Sequence, residues 1–148
     1  MIQIEIPKFM GKWYVIANIP TILEIGAHNA TESYQWNAKK EVIEVDFRFN
    51  QGAPKGRLIK IPQKAFIHDQ KTKAEWRIQL FWPFKSAYLI LFIAKDYSTT
   101  IVGVPNKKHV WIMARKPHLS PVVYNKLVVK VKSLGYDVAK LQKVPQKK

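Results

Sequence analysis

His28 and Glu32 stand four residues apart, the spacing at which an imidazole and a carboxylate on one helical face could pass a proton. Their surroundings read as a loop running into a strand, so that shared face does not form. The plainer reading is a surface pair or a polar group in a cavity. His68 and His118 fall in turn-like segments exposed to water, and Glu44 and Asp46 belong to the polar side of an alternating strand. No HExxH, GxSxG or phosphate-cradling glycine loop occurs, and the six glycines are scattered. With no cysteine, the chain has no thiolate nucleophile, disulfide or thiolate metal site. The weaker enzymatic alternative sets His28 or His109 against an apolar substrate. The expectation is no catalysis, no metal and no cofactor.

The 148 residues carry a formal charge of +15, which points to an acidic partner: an anionic surface, an anionic ligand or nucleic acid. The positive charge is 21 Lys and only 4 Arg. Nucleic-acid readers lean on the forked guanidinium, so scattered Lys speaks for a solvated surface. No run of about 18 apolar residues is present to span a bilayer. The chain opens Met1-Ile2-Gln3-Ile4-Glu5 without a basic leader, so no signal peptide is expected in it.

What would position any site is a series of short strands. Gly11 to Pro20 starts it, followed by Ala30 to Trp36. Ile43, Val45, Phe47 and Phe49 then alternate with Glu44, Asp46 and Arg48. After a loop at Asn50 to Gly56 comes Arg57 to Ile67, where Pro62 implies an edge or a bulge. Trp76, Ile78 and Leu80 alternate in a fifth strand, and Trp82-Pro83-Phe84-Lys85 turns the chain. Tyr88 to Ala94 is apolar on both faces, so periodicity does not orient it. Thr99 to Val104 and His109 to Ala114 complete eight. Ser120 as N-cap, Pro121 as first helical residue, a stripe of Val123, Leu127, Val131 and Leu134, and Gly135 as stop then predict one amphipathic helix over 121–134. A tail strand over 138–144 follows.

Gly11-Lys12-Trp13 on the first strand and Trp111-Ile112-Met113-Ala114-Arg115 on the last resemble the signature of the lipocalins. Asp96-Tyr97 is similar to their second motif and Gly135-Tyr136-Asp137-Val138 to their helix end. The likeness is to the bacterial outer-membrane lipocalins and their apolipoprotein D-like relatives. It implies one all-β domain over 1–148, an eight-stranded up-and-down antiparallel barrel over about 11–115 with the helix packed outside. It also implies that Trp13 plugs the base under Arg115, with Gly11 allowing the close approach. Two features depart from the pattern. The lipid-anchor Cys is absent, and Ala94 stands where an acidic residue often precedes the second motif.

The resemblance implies a binder and carrier, or scavenger, of a small apolar ligand, with fatty acid or lysophospholipid as the expected class. Alternation places Phe47, Phe49, Trp76, Ile78 and Leu80 inward. The family register adds Tyr34 with Glu32 and Trp36, and Trp111 with His109, Met113 and Arg115; Tyr88 completes the candidate contacts. His109 and Arg57 are the head-group candidates. Burying a chain of about 16 carbons grosses roughly 13 kcal/mol at about 0.8 kcal/mol per methylene.

If strand one leaves the closed base, Ile22, Leu23 and Phe84, with Trp82, rim the open end beside Lys55, Lys85, Lys107 and Lys108. Apolar wedges in a cationic collar fit an anionic membrane. The rival expectation is a basic barrel binding single-stranded nucleic acid on exposed aromatics, although nucleic acid is not the expected partner. The resemblance implies the periplasm or outer membrane of a Gram-negative bacterium if a leader was removed, and the cytoplasm if Met1 is native.

Overall fold

The computed structural model describes residues 2–80 and 84–147. Met1, on which one localisation expectation turned, and Trp82 of the expected turn and rim lie outside the described residues.

A short helix α1 (Ile6–Phe9) leads into strands β1 (Gly11–Ile19), β2 (Ala27–Asn37), β3 (Val42–Gln51), β4 (Leu58–Ile67), β5 (Glu75–Gln79), β6 (Ser86–Ile93), β7 (Thr99–Gly103) and β8 (Val110–Ala114). Helix α2 (Pro121–Ser133) and a two-residue strand β9 (Gln142–Lys143) follow. Each strand pairs antiparallel with the next, and β1 pairs both β2 and β8, so the eight strands close into a barrel. The expected tail strand is mostly something else. Asp137 accepts from the Ala139 amide and winds residues Val138–Lys140 into a 3₁₀ turn, leaving only Gln142 and Lys143 to pair with β1.

Two apolar clusters explain the sequence pattern. One fills the barrel and holds Trp13, Val15, Tyr34, Val45, Phe47, Phe49, Trp76, Tyr88 and Met113. The other lies between the outer wall and α2, joining Ala17, Ile19, Ile101, Val110, Ile112 and Ala114 to Leu127, Val131 and Tyr136. That outer layer is why β6 reads as apolar on both faces: Tyr88 and Ile90 face in, while Leu91 and Phe92 pack under the covering layer. Val123, first in the expected helical stripe, is exposed, and Tyr124 takes its place against the barrel. Pro62 lies opposite Asp46 in the β3–β4 ladder but beyond the β4–β5 ladder, which joins only Lys64–Ile67 to Trp76–Gln79, so among the described residues this part of β4 is an edge on the β5 side.

The base is closed by Trp13 and Arg115. The guanidinium carbon lies 3.7 Å from the indole centroid, and its nitrogens donate to the carbonyls of Lys12, Lys8, Phe9 and Met10 at 2.9–3.1 Å. Those carbonyls come from α1, Met10 and the start of β1, which the fork therefore ties to the end of β8. Gly11 takes φ +99°, and a Cβ there would stand 3.4 Å from Arg115 Nη1.

Candidate functional site

Aromatic rings rise from this base through half the barrel. Phe9 meets Trp13, Tyr34 and Trp76 at 5.1–5.5 Å, and Trp76 stacks on Tyr88 at 5.6 Å. The Tyr34 and Tyr88 hydroxyls join at 2.7 Å. Above that pair a cavity of about 280 Å³ opens toward the loops that follow β1, β5 and β7. Its walls include Phe47, Ile61, Ile78, Tyr88 and Trp111, and its upper part is formed by Leu23, Leu80 and His109.

The candidate ligand contacts divide between this cavity and other parts of the fold. Phe47, Ile78, Leu80, Tyr88, His109 and Trp111 line the cavity. Tyr34, Phe49, Trp76 and Met113 are buried in the barrel core and are not among the lining residues. Trp36 has the inward parity of Tyr34 but stands one pair beyond it toward the base, where the barrel has ended. It is 39% exposed, in a surface cleft with Ile6, Pro7, Phe66 and Ile67. That cleft is the larger of the two spaces at about 700 Å³, yet it lies on the outside at the closed end. Arg57 is an exposed loop residue just before β4, outside the cavity lining. His28 belongs to β2, opposite Asn50, and does not line the cavity either.

The polar centre of the site is Glu24, a residue not singled out in the sequence. It closes a 3₁₀ turn over Ile22–Glu24 and is 4% exposed. Asn18 Nδ2 and Trp111 Nε1 donate to its Oε1 at 2.6 and 2.8 Å, and Thr21 Oγ1 donates to Oε2 at 2.6 Å. Asn18 faces inward because a bulge at Ile16 reverses the alternation after Val15, and it lies directly opposite Trp111 in the β1–β8 ladder. A lone acid inside the apolar loop Thr21 to Ile25 was the available signal.

Glu32, from the middle of β2, joins the cavity wall. Burial pushes its carboxyl up to about 8, and the nearby Glu24 charge pushes the same way; a hydrogen bond with Tyr34 opposes both. Burial also raises the Tyr34 and Tyr88 phenols well above the ordinary tyrosine value, so both stay protonated donors. Around the opening, Ile22 is 86% and Phe84 77% exposed, with Leu23, Ile25 and Leu58 also in solvent. The expected cationic collar is uneven. Lys55 and Lys108 are exposed, and Lys85 lies over the Phe66 ring at 3.9 Å. Lys107 instead donates to the Leu134 carbonyl at the end of α2, at 2.7 Å.

The sequence model of the lipocalin-like domain matches residues 4–146. Bovine apolipoprotein D is 31% identical over 93% of this chain and 74% of its own length. The Escherichia coli outer membrane lipoprotein Blc is 24% identical over 94% of this chain and 77% of its own. Insecticyanin of the tobacco hornworm Manduca sexta superposes with a TM-score of 0.75 at 18% identity, covering 100% of this chain and 84% of that one.

Proposed function

This chain belongs to the lipocalin family, whose members bind small hydrophobic ligands, and from that premise we propose that it carries one single-chain amphiphile in the cavity above Tyr34 and Tyr88. The observation that carries this reading is the division of the barrel, packed with aromatics below and opening into a cavity above, with Leu23, Phe47, Ile61, Ile78 and Trp111 around the space. At the ~30 Å³ one water takes in the liquid, the cavity holds about nine units of methylene size. Nine methylenes gross roughly 7 kcal/mol, from which association removes several. The fatty acid or lysophospholipid expected from the sequence fits with the rest of its chain in the mouth, against Ile22, Leu23 and Phe84.

The same exposed side chains, with Lys55, Lys85 and Lys108, support loading from an anionic membrane. The relation to an outer membrane lipoprotein makes a bacterial envelope one setting for that exchange. Lipid extracted from the protein after incubation with vesicles containing a single-chain lipid, then separation, tests the reading. About one molecule per chain is expected; protein that emerges empty contradicts it. No reaction is assigned to the site.

A further inference from the structure

Given the carrier reading above, on which this inference rests, we propose that the cavity prefers a ligand whose polar end is a protonated amine and disfavours a carboxylate inside it, so that a fatty acid keeps its head group out in the mouth and binds less tightly than an amine of the same chain length. The chain holds 25 Lys and Arg against 10 Asp and Glu, yet the described residues lining the cavity include Glu24 and Glu32 and neither Lys nor Arg. The interior is therefore opposite in sign to the surface. A carboxylate entering it finds no cation and meets the Glu24 charge, an uncompensated burial of like charges.

An ammonium finds acceptors. Glu24 accepts from three donors, while a carboxylate has about four lone-pair sites, so one is left over. Glu32 shares the cavity wall, and among the described residues Tyr34 is the one hydrogen-bonding group that acts on its carboxyl. The aromatic residues Phe47, Tyr88 and Trp111 border the same space, where a desolvated cation is attracted to aromatic rings. The charged and titrating groups around Glu32 are Glu24, Tyr34 and Tyr88, with His109 elsewhere on the lining. As the ammonium settles beside Glu32, the carboxyl gives up its proton to solvent: one proton leaves, one ion pair forms, and no covalent bond changes in the ligand. The body of the ligand is set by volume. About nine non-hydrogen atoms fit, which is an octyl chain with its amine.

The test is isothermal titration at pH 7 with three probes of equal chain length: octylamine, octan-1-ol and sodium octanoate. Octylamine is expected to bind at least tenfold more tightly than octanoate and several-fold more tightly than octan-1-ol. Repeating the octylamine titration in buffers of different ionisation enthalpy is expected to show net proton release. In Glu32→Gln the ratio of amine to alcohol affinity is expected to fall at least fivefold. Octanoate binding as tightly as octylamine in the natural chain overturns the amine preference and leaves the cavity a binder. An unchanged ratio in a folded Glu32→Gln overturns the role given to Glu32. If none of the three probes binds, the carrier reading itself falls.

Discussion

The indole Nε1–H of Trp111 on β8 donates to Oε1 of Glu24 at 2.8 Å, fastening the first loop of the mouth to the last strand of the barrel. Asn18 donates to the same oxygen from β1, so one buried carboxylate holds three elements at the opening. Trp111→Phe keeps the ring and removes one donor from that buried acceptor. A loss of about 1–3 kcal/mol is expected, or a fall in Tm of roughly 2–12 °C at this chain length. Thermal denaturation followed by circular dichroism checks it; an unchanged Tm argues that the loop is not fastened this way.

At the opposite end, Arg115→Lys gives up most of the fork that reaches four backbone carbonyls and the face of Trp13. Lys has a single ammonium and cannot span them. Destabilisation of about 2–4 kcal/mol is expected from lost charged hydrogen bonds and stranded carbonyls, read as a lower urea midpoint. Gly11→Ala adds strain at φ +99° and is expected to cost about 1 kcal/mol or more. Midpoints within error of the natural chain would remove the plug from the account.

The raised Glu32 value sets a pH dependence. An unfolded glutamate titrates near 4.3, so between there and about 8 the folded chain holds a proton that the unfolded chain has released. The contribution of this group to stability is therefore intact below about pH 4 and is lost as pH rises through about 8, by an amount on the order of a few kcal/mol. Glu32→Gln, measured by urea unfolding from pH 5 to 9, is expected to gain on the natural chain steadily as pH rises. Glu24, Tyr34, Tyr88 and His109 are common to both chains, so the difference isolates Glu32. A difference that stays flat across this range contradicts the buried, protonated state.

The rim predicts an asymmetry among its lysines. Lys55→Ala and Lys108→Ala are each expected to weaken sedimentation with anionic vesicles, by about fivefold at roughly 1 kcal/mol per charge. Lys107→Ala is expected to leave vesicle binding within twofold and to lower Tm instead, because its ammonium serves the end of α2. Ile22→Ser with Phe84→Ser tests the apolar part and is expected to lower binding to vesicles of any charge. Equal effects at Lys55, Lys107 and Lys108 would mean a diffuse charge effect and no defined docking face.

Strand order, barrel closure and the Trp13–Arg115 plug were legible in the sequence because each depends on local alternation or on two motifs at fixed ends. The site was legible only in part. Parity puts Tyr34 and Trp36 on one side, but parity does not say where the barrel floor ends, and Trp36 falls below it. Nor does it say how far packed rings fill the interior, which is why Trp76 and Phe49 became core while Phe47 stayed on the cavity wall. Glu24 was hidden for another reason. Its partners Asn18 and Trp111 are 6 and 87 residues away, and Asn18 faces inward only because of a bulge that no periodicity announces.

The most direct check is to fill the space and ask whether binding goes with it. Ile78 lines the cavity from β5, and Ile78→Trp places an indole where the ligand body would lie. Isothermal titration with octan-1-ol is expected to saturate at one molecule per natural chain and to weaken at least tenfold in a folded Ile78→Trp. Equal affinity in the two proteins, or no saturable binding to the natural chain, would contradict a ligand in this cavity.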